Sequence, residues 1–376
     1  MKEKLKTYFK ELPKRYFITA FSGMALGLFC TLIAGTIIGM VANWIGRDNF
    51  LGYFLYVVST VAKILMGAGI GIGIAYKLGA KPLVIFTAAV TGFIGAFALN
   101  IINMTFTAEY LSVVFNKGLP GNPIGAYVVS LFTVEIASLY AGKTKFDIIF
   151  VPIGMILMCI CAIFVAWPFI KLIDLFAELL VITISAGVAV KIIVGVLVAV
   201  IMGILLTMPT SSAAIWVAIA TSTTATENPE IFSIAGGAAV AGCAAHMIGF
   251  AVASFRENRW SGLVSQGLGT SMLQIPNIMK KPSIMIPAVI SSVFSGLVAV
   301  LLDLRCTAAG GGMGTSGLVG VFGVIDASSV YGVDTFKYVL GIILCLFVIP
   351  AVISLLSSEY MRKKGWINNG DMKLPE

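Results

Sequence analysis

The amino-acid sequence predicts an all-α polytopic membrane protein with about ten transmembrane helices, two re-entrant hairpins and internal pseudo-symmetry. Of its 376 residues, 59% are hydrophobic and only 11% are charged, whereas an ordinary soluble domain is about a quarter charged. The charges also cluster at the ends of the apolar runs. Because one span needs about 20 residues, the length allows roughly ten. This composition excludes a soluble enzyme, a nucleic-acid-binding protein and a secreted disulfide scaffold.

Basic side chains flank the apolar part of the chain at both ends. They are Lys2, Lys4, Lys6, Lys10, Lys14 and Arg15 before it, and Arg362, Lys363 and Lys364 after it. Since cytoplasmic loops carry an excess of Lys and Arg, both termini are expected in the cytoplasm and the number of crossings is expected to be even. We read residues 1–15 as a basic amphipathic segment on the inner membrane surface. Residues 16–357 form a single membrane-embedded domain, and 358–376 form a cytoplasmic tail.

The first apolar run lacks a signal-peptide cleavage pattern and is expected to be an uncleaved anchor. The expected spans are 16–44, 51–76, 82–101, 123–142, 146–167, 169–190, 192–208, 231–252, 284–302 and 336–357. The stretch 168–208 allows two interpretations. Lys171, Asp174 and Glu178 share one helix face, which fits an amphipathic interfacial helix followed by one span. An even number of crossings instead favours two spans with Lys191 inside.

Two apolar segments remain that are too short or too broken to cross, the first glycine segment (about 261–279) and the second glycine segment (about 306–325). Gly267-Leu268-Gly269-Thr270-Ser271 of the first matches Gly312-Met313-Gly314-Thr315-Ser316 of the second. The match is either chance in a glycine-rich chain or the mark of paired re-entrant hairpins entering from opposite faces. Non-helical backbone at membrane depth is tolerated where it lines a cavity, and transporters build central sites from such segments, which favours the hairpins.

Glycines alternate with other residues at positions 67, 69, 71 and 73. A spacing of two does not place them on one helix face, although Gly67 and Gly71 are four residues apart. The segment also lacks the lysine of a phosphate-binding loop. Close helix packing is therefore the preferred interpretation.

Four stretches of the sequence resemble one protein family. They are NPIGAYVVSLFTVEIASLYAGKTKFDIIFVP at 122–152, CAAHMIGFAVASFRENRWSG at 243–262, GLGTSMLQIPNIMKKPSIMIP ending at Pro287, and GGGMGTSGLVG at 310–320. Together they resemble enzyme IIC, the membrane component of the bacterial phosphoenolpyruvate-dependent sugar phosphotransferase system. The branch that the chain resembles is the stand-alone IIC-like group that includes regulators of the perfringolysin type.

The resemblance implies a homodimeric permease in the bacterial cytoplasmic membrane that carries a sugar or polyol inward. A separate IIA protein would pass a phosphoryl group to a IIB protein, which would phosphorylate the sugar. The chain has no IIA or IIB domain and no G-I-T-E motif, so no catalytic or phosphorylated residue, metal or cofactor is expected in it. An ion-coupled secondary transporter of similar fold and a solute-sensing regulatory protein are the alternatives.

Neutral polar residues near the breaks and ionisable residues inside spans are the candidate substrate contacts, because they supply donors and acceptors for hydroxyl groups. The candidates are Asn122, Glu135, Thr210, Ser211, His246, Thr270, Ser271, Gln274, Asn277, Thr315 and Ser316. Glu135 would contact sugar or form an ion pair with Lys63. His246 would bind substrate, couple transport to protons or pack as a neutral side chain. Asn122 would alternatively cap a helix.

The charge run Arg256-Glu257-Asn258-Arg259 lies at a predicted cytoplasmic helix end. Arg256, Glu257 and Arg259 are either a solvated face or a docking site for an acidic patch on a IIB partner. The six cysteines form no C-x-x-C pair and are expected to be packing residues.

Overall fold

The protein is predominantly helical in the part of the chain that the computed structural model describes, residues 12–208 and 212–374. Helices account for 83% of the structure, and these residues contain no β-strand, which confirms the predicted all-α class. Contacts divide the chain into two compact units, Met1–Leu175 and Phe176–Glu376. Of the predicted amphipathic segment 1–15, residues 1–11 lie outside the described part.

Over residues 12–175, the first unit contains seven helices and the beginning of an eighth. They are α1 Leu12–Ile45, α2 Phe50–Ile64, α3 Met66–Lys77, α4 Pro82–Ala96, α5 Ala98–Ile102, α6 Ala108–Lys117, α7 Pro123–Tyr140 and α8 Asp147–Ser185. α2 and α3 are bent by 53° at Leu65 and correspond to the predicted span 51–76. The apolar core of the first unit lies where α3, α4, α7 and α8 pack together.

Helix α3 packs closely on two sides through its alternating glycines. A Cβ atom on Gly69 or Gly73 would lie within 2.9 Å of backbone in α1, and one on Gly67 or Gly71 would lie within 2.6 Å of backbone in α4. Because successive glycines alternate between two neighbours, both helices approach α3 at backbone distance. The predicted role in close helix packing is confirmed.

Helix α8 contradicts the prediction of two separate spans at 146–167 and 169–190. It runs without interruption for 39 residues and includes Pro152 and Pro168, which corresponds to a length of about 58 Å. Lys171 and Asp174 pair across one turn of it, with Nζ 3.9 Å from Oδ2. The first break after it comes at residues 186–187, before α9 Val188–Thr207.

Within its described residues, 176–208 and 212–374, the second unit contains the end of α8, α9 and nine further helices. They are α10 Ser212–Ala220, α11 Thr223–Glu227, α12 Pro229–Ala253, α13 Phe255–Val264, α14 Ile275–Lys280, α15 Ile286–Leu301, α16 Ala308–Gly311, α17 Val319–Val330 and α18 Thr335–Lys363. α12 is the buried centre of this unit and packs against α9, α15 and α18. Small residues make this possible, since a Cβ on Gly242 would lie 1.8 Å from the Ala199 carbonyl oxygen.

Fewer helices meet the requirements of a membrane span than the ten predicted. Within residues 12–208 and 212–374, seven helices are long and apolar enough, and the bent pair α2–α3 makes an eighth. The difference arises because α8 joins two predicted spans and α4 has only 15 residues. Both glycine segments are broken into short helical pieces; their entry from opposite membrane faces stays a prediction.

Candidate functional site

The two glycine segments touch each other through the pentapeptide that they share. Thr315 Oγ1, fully buried, donates a hydrogen bond to the Gly267 carbonyl oxygen at 2.6 Å. The neighbouring Gly314 has φ +57°, and a Cβ there would lie 2.7 Å from the backbone of Cys243 and Ala244 in α12. The two segments therefore meet on the surface of α12, and the second one needs glycine to approach it.

A buried chain of hydrogen bonds runs from the first glycine segment to α12. Ser271 Oγ lies 2.9 Å from Thr207 Oγ1, which lies 2.8 Å from His246 Nδ1. Ser271 follows the break at Thr270, Thr207 is the last residue of α9, and His246 projects from α12. All three side chains are fully buried. One hydroxyl, that of Thr207, thus connects three separate elements.

Two buried nitrogen atoms near this chain have no hydrogen-bond partner among the residues that the structure describes. They are Nε2 of His246, on the edge of the ring that packs against Gly203 of α9, and Nε1 of Trp216 in α10. Trp216 packs on the second glycine segment, where a Cβ on Gly311 would lie 2.2 Å from its Nε1. Buried polar groups in native proteins nearly always have partners, so these two atoms are candidate ligand contacts.

Two of the predicted contacts lie between the end of α9 and the start of α10 in the sequence. Thr210 and Ser211 lie outside the described residues, so their role stays a prediction. The adjacent Ser212 donates from Oγ to the Gly312 carbonyl oxygen at 2.7 Å. This bond brings the start of α10 to the second glycine segment.

Of the remaining candidates in the two segments, Thr270, Gln274 and Asn277 make hydrogen bonds within the first segment. Thr270 Oγ1 accepts a hydrogen bond from the Met272 N–H at 3.2 Å, and Ser316 is half-buried. Gln274 Nε2 donates to Gln266 Oε1 at 2.9 Å, and Gln274 Oε1 accepts from Asn277 Nδ2 at 2.8 Å. Sugar contact by these four candidates stays a prediction.

Glu135 and Asn122 lie in the first unit. Glu135 Oε1 lies 2.6 Å from Arg15 Nε, so Glu135 pairs with α1 and not with Lys63, which was one of its two predicted roles; its other role, sugar contact, stays a prediction. Beside it is a cavity of about 530 Å³ lined almost wholly by apolar side chains of α1, α7 and α8. Asn122 Oδ1 accepts from the N–H groups of Ile124 and Gly125, which is the predicted cap of α7.

Breaking the Arg15–Glu135 pair is expected to destabilise the protein. Glu135→Gln should lower the free energy of unfolding by about 1.5 kcal/mol, because a charge-assisted hydrogen bond is lost and Arg15 keeps its charge. Thermal unfolding of Glu135→Gln, Arg15→Gln and the double variant measures the coupling. Additive losses in the double variant would contradict a direct interaction.

The charge run 256–259, a predicted docking site, contains both exposed and buried side chains. Arg256 is exposed and pairs with Glu359 at 2.8 Å, and Arg259 is exposed with φ +50°. Glu257 is instead buried in an ion pair with Arg362 at 2.8 Å, with exposures of 6% and 8%. Arg256 and Arg259 are therefore accessible to a partner, and docking there stays a prediction, whereas the side chain of Glu257 is buried in an intramolecular ion pair.

Sequence reasoning missed Thr207 and Trp216. Thr207 occupies the last turn of a span, just before Pro209. It is three residues before Thr210, the first of the predicted Thr210–Ser211 contacts. Trp216 stands in an otherwise small and aliphatic helix, SAAIWVAIA, where its indole is the only side chain with a strong donor apart from Ser212. Both signals were present, but only the folded chain shows which elements they face.

The comparison with protein families gives a match that covers nearly the whole chain. A family model described as "Phosphotransferase system, EIIC" matches residues 18–374. No curated protein and no solved structure matches the chain.

Proposed function

The chain belongs to the phosphotransferase system EIIC family, and on that premise we propose that it carries a sugar or polyol inward for phosphorylation by a separate IIB protein. Membership makes it a multi-pass membrane permease component of a sugar phosphotransferase system. The proposal adds the direction of transport and the phosphoryl donor. It also places the protein in the bacterial cytoplasmic membrane, with both termini in the cytoplasm.

The observation that carries this proposal is the buried Ser271–Thr207–His246 chain where the two glycine segments meet. Hydroxyl and imidazole groups both donate and accept hydrogen bonds, as a neutral ligand with many hydroxyl groups requires. His246 Nε2 and Trp216 Nε1 have no partner among the described residues and would bind sugar hydroxyls. An aromatic ring next to hydroxyl groups also suits a ligand with both polar and apolar faces.

The phosphoryl group is proposed to come from outside the chain. His246 is the only histidine and is fully buried, so a soluble phosphorylated protein does not reach it. Arg256 and Arg259 are exposed and would attract the acidic surface of a IIB protein. A IIA protein would recharge IIB, and the permease would act as a homodimer.

Vesicle uptake tests the proposed function. Inverted-membrane and right-side-out vesicles containing the chain are supplied with phosphoenolpyruvate, the general phosphotransfer proteins and candidate IIA–IIB pairs. A panel of radiolabelled hexoses and hexitols is offered, and sugar phosphate is measured in the lumen of right-side-out vesicles. We expect phosphorylated product with one IIB only, and none in vesicles that lack the chain.

Two other results would contradict the proposal. Unphosphorylated sugar that accumulates with a proton or sodium gradient would identify a secondary transporter. Saturable sugar binding without uptake, with every IIB supplied, would identify a sensor.

A further inference from the structure

Residues 366–374 fold back onto the first glycine segment. After α18 ends at Lys363, Ile367 and Met372 become buried, with exposures of 1% and 0%. They join an apolar cluster with Phe250, Ile278 and Ile284. The predicted cytoplasmic tail is therefore packed against the second unit over the residues described, which end at 374; we call residues 366–374 the C-terminal strap.

The strap is held through its main chain by three amide side chains. The Met372 carbonyl oxygen accepts from Asn258 Nδ2 at 2.8 Å and from Gln274 Nε2 at 3.0 Å. The Lys373 carbonyl oxygen accepts from Asn277 Nδ2 at 2.9 Å, and the Leu374 N–H donates to Asn258 Oδ1 at 2.9 Å. Main-chain recognition of this kind fixes the position of a bound segment independently of its side chains.

The side-chain amide of Gln274 also connects the strap to the rest of the segment that carries Ser271. Gln274 Nε2 also donates to Gln266 Oε1, whose own Nε2 donates to Ser254 Oγ at 2.9 Å. Gln266 directly precedes Gly267, the residue bonded by Thr315. Both N–H groups of Gln274 are therefore occupied, one by the strap and one by the segment. The strap and the site share one connected network.

One ion pair anchors the strap itself, and a second holds the end of α18 that precedes it. Lys281 Nζ lies 2.7 Å from Asp371 Oδ2, and Arg362 pairs with Glu257. Partial burial raises the pKa of Asp371, but its hydrogen bonds to Lys281 and the Asn368 N–H and the nearby positive charges outweigh burial and lower the pKa below its ordinary value. Asp371 is thus charged at neutral pH and bound to the turn that follows α14.

We infer that the C-terminal strap is a positioning element of the sugar site: its main-chain bonds to Gln274 and Asn277 hold the first glycine segment where Ser271 meets Thr207. This inference rests on the proposed function for its link to sugar. Without the strap, two buried amides lose their carbonyl partners, which is costly, and the segment loosens. Sugar affinity then falls, while the phosphorylation step at saturating sugar continues.

Truncation tests the inference with a matched control. One variant ends at Gly370 and loses every main-chain group that binds the three amides; the control ends at Leu374 and keeps them all. Hydrogen exchange is measured over residues 265–280, and KM and kcat are measured by sugar phosphorylation. We expect faster exchange in 265–280 and a KM about tenfold higher with kcat within twofold. The control should match the full chain.

A synthetic peptide of residues 366–376 should restore exchange protection to the shorter variant at millimolar concentration, since a tethered segment has an effective concentration in that range. If the shorter variant does not fold, Asp371→Asn in the full chain serves instead and should give an intermediate increase in exchange. Unchanged exchange in whichever folded variant is used would overturn the inference, and faster exchange with unchanged KM would overturn its link to sugar.

The result that rejects the proposed function differs from the result that rejects the role of the strap. A full chain that phosphorylates no sugar rejects that function by itself. The exchange comparison then still decides whether the strap holds the segment.

Discussion

Replacing Gly314 by Ala is expected to lower sugar phosphorylation by about 100-fold or more. Gly314 has φ +57°, and a Cβ atom there would lie 2.7 Å from backbone atoms of Cys243 and Ala244. Both features disfavour any residue with a Cβ atom at this position. The left-handed backbone conformation is strained for such a residue, and α12, the buried centre of its unit, does not move aside. The second glycine segment would shift, and the bond from Thr315 to Gly267 would be lost with it.

Gly269 provides the matched control, because it occupies the same position in the other copy of the pentapeptide. No atom lies within 4 Å of the place where its Cβ would be, and its φ is not in the left-handed region. Gly269→Ala should leave phosphorylation within about twofold of the wild type. Both variants are assayed in the vesicle system, with thermal unfolding to establish that they fold. Equal effects at the two positions would contradict the structural difference between the segments.

Replacing Thr207 by Val is expected to weaken sugar binding by about 10- to 100-fold. Valine has nearly the shape of threonine but no hydroxyl group, so His246 Nδ1 and Ser271 Oγ both lose their shared partner. Each is fully buried, and a buried polar atom without a partner is destabilising. The first glycine segment then loses its bond to α9. Equilibrium binding of the sugar identified by vesicle uptake measures the effect.

Two controls distinguish the loss of the shared hydroxyl group from the effect of replacing any threonine. Thr207→Ser keeps the hydroxyl and should bind sugar far better than Thr207→Val. Thr221→Val removes a hydroxyl in the same unit that donates only to the carbonyl one turn earlier, at 2.7 Å from the Val217 oxygen, and should bind normally. Serine and valine variants that are equally impaired at position 207 would rule out the hydrogen-bond chain as the cause.

Apolar runs with polar ends were sufficient to predict most long helices. α1, α7, α12, α15 and α18 lie close to the expected spans, because hydrophobic length and flanking charge are local properties. The exception is α8. The predicted span 146–167 ends just before Pro168, which lies inside α8. Proline interrupts helices less in membranes, where other groups re-satisfy the freed carbonyl oxygen.

The candidate site was predictable only in its composition. The polar residues of the glycine segments could be picked out, and Ser271, Thr315 and His246 do lie where elements meet. Their partners depend on chain folding over long separations, such as the 64 residues between Thr207 and Ser271. Gln274 and Asn277 bind backbone carbonyl oxygens of the C-terminal strap, and main-chain acceptors leave no pattern in a sequence.

The alternating glycines of α3 have a mechanical consequence. With carbonyl groups of α1 and α4 pressed against opposite sides of it, α3 has no freedom to rotate or slide, since any turn of the helix would drive a bulkier neighbour such as Ile70 or Ile74 into those backbones. The core of the first unit is thus expected to stay rigid during transport. Hydrogen bonds between side chains break and re-form more readily than such contacts, so the moving parts of a transport cycle are expected among the glycine segments of the second unit.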